Sequence, residues 1–167
     1  MTASTLLRPM ATADWPAVRR IYEEGIASGH ATFETAAPEW NGWDAAHMKA
    51  CRLVAVDGEL VVGWAALTPV SGRCVYAGVA EVSVYVAAAA RGKGVGRQLL
   101  EALVAESERH EIWTLQAGIF PENTASLTAH ERAGFRIVGR REKLGNMKGV
   151  WRDVLLLEKR SAAVGVS

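Results

Sequence analysis

One acid stands out by its surroundings. Glu81 opens the stretch EVSVYV, in which Val82, Val84 and Val86 alternate with Glu81, Ser83 and Tyr85, the period of a β-strand. It is the single acid of an otherwise apolar strand. Partial burial raises a carboxyl's pKa toward the range of a general base; a salt-bridged or edge-strand carboxylate is the plainer reading. Just beyond lies Arg91-Gly-Lys-Gly-Val-Gly-Arg97, followed by Leu99, Leu100, Leu103 and Val104 at the spacing of one helical stripe. A glycine-rich turn entering a helix leaves backbone N–H groups unpaired beside the positive end of the helix dipole. That is an anion site, and phosphate is the usual anion. Arg91, Lys93 and Arg97 add positive charge. The spacing fits neither G-x-x-x-x-G-K-[ST] nor G-x-G-x-x-G, because Arg97 occupies the third glycine position of the latter. What remains is R-x-x-G-x-G, from Arg91 through Gly94 to Gly96, straight after a strand. An ordinary glycine-bearing connection with surface charges is the alternative.

The elements that must position these groups follow from punctuation and periodicity. Leu6 to Ala11 is expected as a first strand. A helix capped by Thr12 or Asp14, with Pro16 in its first turn, buries Val18, Ile21, Tyr22, Gly25 and Ile26 and ends at Gly29-His30. An irregular segment, Ala31 to Pro38, precedes a short helix expected at Trp43 to Cys51. Leu53 to Val56 and Leu60 to Leu67 form a hairpin about Asp57-Gly58. The strand Val79 to Val86, the helix Gly94 to Arg109 and a strand at Ile112 to Ala117 come next. A helix opened by Asn123 and Thr124 closes at Gly134, and strands follow at Phe135 to Arg140 and Trp151 to Leu157. The order β-α-α-β-β-β-α-β-α-β-β predicts an α+β sandwich, an antiparallel meander leading into βαβ, with helices covering a central sheet.

Composition bounds the rest. The chain has 167 residues, 50% hydrophobic and 22% charged, with 19 basic and 18 acidic side chains. One domain over residues 1–160 with a frayed tail at 161–167 is expected. A net charge of +1 lacks the basic excess that nucleic-acid binding uses. No apolar run reaches membrane-spanning length, and MTASTLLRPM lacks the pattern of a signal peptide, so a cytoplasmic location is expected. Cys51 and Cys74 have neither metal-site nor disulfide spacing, and the scattered histidines suggest no metal site.

Taken in order, Ala31-Thr-Phe-Glu34, Glu81-Val-Ser-Val-Tyr-Val86, Arg91-Gly-Lys-Gly-Val-Gly96, Asn123-Thr-Ala-Ser126, His130-Glu-Arg-Ala-Gly-Phe135 and Trp151-Arg-Asp153 resemble the phosphinothricin and methionine sulfoximine acetyltransferase branch of the GNAT N-acetyltransferase superfamily, from Leu7 to about Leu157. The resemblance implies the three-layer GNAT fold, a mostly antiparallel mixed sheet with a βαβ half that binds acetyl-CoA. It places the pantetheine arm along Val84, Tyr85 and Val86, as an added strand would lie. It places the pyrophosphate on Gly92, Lys93, Gly94, Val95 and Gly96, with Arg91 and Arg97 beside it. Asn123 and Ser126 are implied as pantetheine contacts, or are plain helix caps; Arg132 reaches the phosphates or is a solvated charge. A free N–H of the Val82 to Val86 strand is the expected oxyanion donor.

Glu81 is implied as general base, directly or through water. His130 is implied as the acid that protonates the thiolate, with Tyr85 as the weaker alternative. Arg73 and Tyr76 on the preceding loop, with Phe33 and Glu34, are expected to hold an amino-acid-like amine, the Arg fork gripping its carboxylate. Ala77, Gly78, Val79, Ala80 and Val82 depart from the branch toward small apolar residues and leave the choice of amine open. The resemblance also implies a homodimer. Other readings are a GNAT enzyme for a polyamine or a protein N-terminus, a non-catalytic acyl-CoA-binding module, and a nucleotide-binding module, which no motif supports.

Overall fold

A computed structural model describes residues 5–167; residues 1–4, part of the expected domain and of the leader comparison, lie outside the described residues. The strands are β1 (Leu6–Pro9), β2 (Leu53–Asp57), β3 (Leu60–Pro69), β4 (Val79–Val86), β5 (Thr114–Ile119), β6 (Arg136–Met147) and β7 (Val150–Arg160). The helices are α1 (Trp15–Ser28), α2 (Trp40–Ala46), α3 (Val95–Arg109) and α4 (Thr124–Arg132). The seven strands form one sheet in the order β1-β2-β3-β4-β5-β7-β6. Every neighbouring pair is antiparallel except β4 and β5, whose crossover is α3, as parallel pairing requires. This is the expected mixed, mostly antiparallel sheet covered by helices.

The register divides the side chains between the two faces. Trp64 faces Tyr85, Ala66 faces Ser83 and Thr68 faces Glu81 across β3 and β4. Their common face carries α1 and α2: Tyr22 of α1 stacks on Tyr85 at 4.9 Å between ring centroids, and Trp43 of α2 meets Trp64 edge-on at 5.6 Å. The opposite face takes α3, whose Leu99, Leu100 and Leu103 are fully buried with Leu67. Burial of an aliphatic side chain contributes about 1.5–3 kcal/mol, so this layer fixes α3, and with it the glycine turn that precedes it, against β4.

Several boundaries differ from expectation. The second helix runs from Trp40 to Ala46 rather than Trp43 to Cys51. Glu39 and His47 on either side are extended, and Cys51 has a left-handed φ of 62°, so the helix cannot continue through it. Trp43 therefore sits mid-helix, aimed at the core. The β6 strand extends past Arg140 to Met147 and turns into β7 through Lys148 and Gly149, with φ of 51° and 86°, the conformation of a tight hairpin. Its residues are mostly exposed at the sheet edge, so no alternation advertises it. The tail after Arg160 forms neither helix nor strand, yet it is held in place. The Arg160 guanidinium donates to the carbonyls of Ser161, Val164 and Gly165, and buried Ser161 Oγ accepts from the N–H groups of Ala163 and Val164.

Candidate active site

The parallel pairing of β4 with β5 is short. Val79 pairs with Thr114, Ala80 with Leu115 and Glu81 with Gln116, and there it ends. Beyond Glu81, β4 continues to Val86 on β3 alone, while β5 continues to Ile119 on β7. The strands part at the acid, and the 82–86 edge is left without its neighbour. Unpaired strand edges template another extended chain.

A cavity of about 390 Å³ occupies this notch. Glu81, Ser83, Val84 and Tyr85 line it from β4, Gln116 and Gly118 from β5, and Thr32, Phe33 and Glu34 from the segment after α1. Asn123, Ser126 and His130 close it from the start of α4, and Arg141, Leu144, Val154 and Leu156 from the β6–β7 hairpin. Eight of the sequence-predicted residues (Phe33, Glu34, Glu81, Val84, Tyr85, Asn123, Ser126 and His130) thus border one space.

Glu81 opens to the cavity but is walled by protein. That desolvation raises its carboxyl above the ordinary glutamate value, while a hydrogen bond with Gln116 and the charge of Arg141 draw it back. A carboxylate held up in this way is better matched to accepting a proton near neutral pH. Gly118 keeps room beside it: a Cβ there would lie 3.9 Å from Glu81 Oε1 and 3.3 Å from Val154. Phe33 packs edge-on to Phe120 at 4.8 Å and lies against the backbone of Gly145, where a Cβ would come within 2.6 Å of its ring. Arg152 stacks over Phe120 at 4.1 Å and donates to Gly29 O and to His30 Nδ1, fixing the root of the 31–34 segment.

At α4, Asn123 Oδ1 accepts from Ser126 N at 3.2 Å, a side-chain cap, and its Nδ2 donates to His30 O. The plain capping reading therefore holds for Asn123, even as it borders the cavity. His130 is buried, and its Nδ1 lies 2.7 Å from Ser126 O, so Nδ1 carries the hydrogen and Nε2 is left as an acceptor. Burial lowers its pKa further below the histidine value, against the upward pull of that bond. That lowering favours the neutral ring, whose Nδ1 hydrogen is already engaged with Ser126 O. Tyr85 packs against both Tyr22 and Trp64, which also touch each other; burial drives its hydroxyl far above the ordinary phenol value, so it stays protonated.

The glycine turn forms as expected. Gly92 and Gly94 take left-handed φ of 78° and 79°, and Gly94 is the N-cap of α3. The first-turn N–H groups of Val95, Gly96 and Arg97 have no carbonyl within the helix to pair with. Arg91 and Lys93 are exposed beside them, Val95 packs in the core, and Arg97 is paired with Glu101 at 2.8 Å. Arg132 is exposed on the last turn of α4. Arg73 and Tyr76 are exposed on the β3–β4 loop, stacked on each other at 5.7 Å and outside the cavity lining.

Sequence reasoning missed Gln116, Gly118, Phe120, Arg141 and Leu144. Gln116 had a signal, a polar residue in an apolar strand. Arg141 had none, because its place in the cavity depends on an irregularity in β6.

Among the described residues no helix is long and apolar enough to cross a membrane, and no group of three or more His, Cys, Asp or Glu could hold a metal ion.

Comparison with known proteins accounts for the arrangement. The acetyltransferase (GNAT) family matches residues 14–135. The chain is 34% identical over 152 residues to phosphinothricin N-acetyltransferase of Alcaligenes faecalis, covering 87% of this chain and 77% of that protein. It is 33% identical over 165 residues to the L-methionine sulfoximine/L-methionine sulfone acetyltransferase of Pseudomonas paraeruginosa, covering 93% and 94%. A phosphinothricin acetyltransferase from Sinorhizobium meliloti, solved in complex with acetyl-CoA, superposes with a TM-score of 0.88 at 26% identity, covering 98% of this chain and 91% of that one. The chain belongs to the GNAT family and is an acetyl-CoA-dependent N-acetyltransferase.

Proposed function

We propose that this enzyme acetylates the free amine of a small amino-acid-like molecule of the phosphinothricin, methionine sulfoximine or methionine sulfone type. The observation that carries the reading is the parting of β4 and β5 at Glu81, which sets a raised carboxylate at the apex of a notch with an open strand edge. The pantetheine arm lies along Val84 to Val86 as an added strand. The pyrophosphate rests on the N–H groups of the Gly92 to Gly96 turn, with Arg91 and Lys93 beside it. The thioester then sits near Glu81.

Glu81 takes a proton from the substrate ammonium, directly or through a water. The freed nitrogen bonds to the acetyl carbon, the carbon–sulfur bond breaks, and the electron pair leaves on sulfur. An N–H of the 82–86 edge donates to the carbonyl oxygen as charge develops there, a fixed dipole needing no reorganisation. Because burial favours a neutral His130 ring whose Nδ1 hydrogen is engaged with Ser126 O, the leaving thiolate is protonated from solvent or by a proton passed on from Glu81. Exposed Ile137 and Val138 on the edge strand β6 support a homodimer.

The test is thiol release from acetyl-CoA with phosphinothricin, methionine sulfoximine, methionine sulfone, unmodified amino acids and spermidine as acceptors. Turnover of the amino-acid analogues supports the reading. Turnover of spermidine alone, or silence with acetyl-CoA binding intact, overturns the acceptor assignment.

A further inference from the structure

We infer that Arg141, rather than Arg73, grips the carboxylate of the acceptor and so restricts the enzyme to α-amino acids. The inference rests on the amino-acid reading above and deepens it.

Arg141 comes to the cavity by a local irregularity. Along β6 and β7, Arg141 pairs with Val154 and Gly145 pairs with Arg152, so residues 142–144 stand opposite Asp153 alone. Such bulges re-aim side chains next to active sites. Asp153 staples this one: its carboxylate accepts from Arg140 Nε at 2.7 Å and from Lys143 N at 2.8 Å. Lys143 sits at a φ of 46°, a left-handed conformation that costs a non-glycine residue energy and persists where the surroundings enforce it. Thus Asp153 engages Arg140, and the next residue, Arg141, is left to the cavity with Leu144.

The faces agree. Glu81 pairs with Gln116 on β5, Gly118 pairs with Leu156 on β7, and Val154 pairs with Arg141 on β6; by alternation all six point to one side of the sheet. Three strand spacings, about 14 Å across the sheet, and the four residues from Glu158 to Val154, about 13 Å along it, separate the backbones of Glu81 and Arg141, a span that the two long side chains and the substrate share. Between them Gly118 contributes no side chain, and the intervening floor is Val154 and Leu156. The cavity therefore has the Glu81 carboxylate at one end, a guanidinium at the other and a low apolar floor, with Glu34 as a second carboxylate on the wall formed by the segment after α1. Among the described residues no ion pair involves Arg141, and no other Lys or Arg lines the cavity. A zwitterion fits: ammonium toward Glu81, carboxylate on the Arg fork, which matches two oxygens. Arg73, by contrast, stacks on Tyr76 outside the lining.

The experiment compares phosphinothricin, methionine sulfoximine and methionine sulfone with the primary amide of each, in the wild type, Arg141→Gln, Arg141→Lys and Arg73→Gln. Arg141 is exposed, and a thermal melt verifies that each variant is folded. The wild type is expected to favour the acids over their amides by about 10- to 100-fold in kcat/KM, the range for a hydrogen-bonded charge. Arg141→Gln is expected to bring the ratio near one through the acceptor KM, with the KM for acetyl-CoA unchanged, and Arg141→Lys to restore part of it. A ratio that survives Arg141→Gln, or collapses in Arg73→Gln instead, overturns the assignment to Arg141 while leaving the amino-acid reading intact. A wild type that acetylates none of the acids overturns both, and one that acetylates the amides equally well overturns the Arg141 assignment alone.

Discussion

Substituting alanine for Gly145 tests whether Phe33 is a wall of the acceptor pocket. A Cβ at Gly145 would lie 2.6 Å from Phe33 Cζ and 2.7 Å from Cε1. Carbon atoms in contact settle at about 3.5–4.0 Å, so the ring must move by roughly 1 Å. Phe120 blocks one direction, edge-on at 4.8 Å and itself held under Arg152. The open direction is toward solvent, since Phe33 is 37% exposed. Overpacking in a closed core costs about 1–3 kcal/mol; with an exit available the cost should fall near 1 kcal/mol. The ring's new position alters the cavity, and the acceptor KM is expected to rise about tenfold, the equivalent of about 1.4 kcal/mol. Steady-state kinetics on both substrates read this directly, and the KM for acetyl-CoA should stay within about twofold. In a Phe33→Ala background the Gly145→Ala change should add nothing, because the clash has lost its partner. An unchanged acceptor KM in a folded Gly145→Ala enzyme, or additive effects of the two substitutions, refutes the contact as a determinant of the site.

Other perturbations follow from the same geometry. Removing the Arg141 charge should raise the Glu81 pKa, since that charge draws it down; the acidic limb of the kcat/KM profile should move to higher pH in Arg141→Gln, and a limb that stays in place or moves down contradicts the coupling. Asp14, buried and accepting two bonds from Arg8 and one from Ala11 N, has its pKa lowered chiefly by the Arg8 hydrogen bonds. Its contribution is present above the unfolded aspartate value near about 4 and is lost as pH falls through the lower folded value. Denaturant titrations should therefore show Asp14→Asn losing about 2 kcal/mol at pH 7, with the gap to wild type closing in acid. Arg152→Leu should cost about 2 kcal/mol in stability and raise the acceptor KM, because the 29–34 segment loses its anchor; intact kinetics would show that the segment is positioned by other contacts.

Much of this was legible from residue order. The turn Arg91 to Gly96 declares itself because left-handed positions at Gly92 and Gly94 need glycine. Glu81 declares itself as a lone acid in a valine strand. Leu99, Leu100 and Leu103 gave the buried stripe of α3. The parts that were not legible depend on contacts far apart in the chain. Arg73 was expected at the substrate because it precedes the Glu81 strand, and it lies outside the cavity lining, whereas Arg141 lines the cavity through a bulge stapled by Asp153, which nothing local encodes. His130 was named by residue type; the hydrogen bond that engages its Nδ1 with Ser126 O, one helical turn earlier, and the burial that lowers its pKa arise only in the folded chain. The second helix slipped by three residues at its start because its apolar face is carried by tryptophans that serve helix and loop alike.

The central claim is that the carboxylate at the parting of β4 and β5 moves the proton. Replacing Glu81 with Gln keeps its size and its contact with Gln116 while removing the base. The measurement is the pH dependence of kcat beside acetyl-CoA affinity by calorimetry. The account predicts a kcat lower by about 10²–10⁴-fold, the usual worth of a positioned general base, loss of the acidic limb, and acetyl-CoA affinity unchanged. A Glu81→Gln enzyme that turns over within a few-fold of wild type, with the acidic limb still in place, would contradict it.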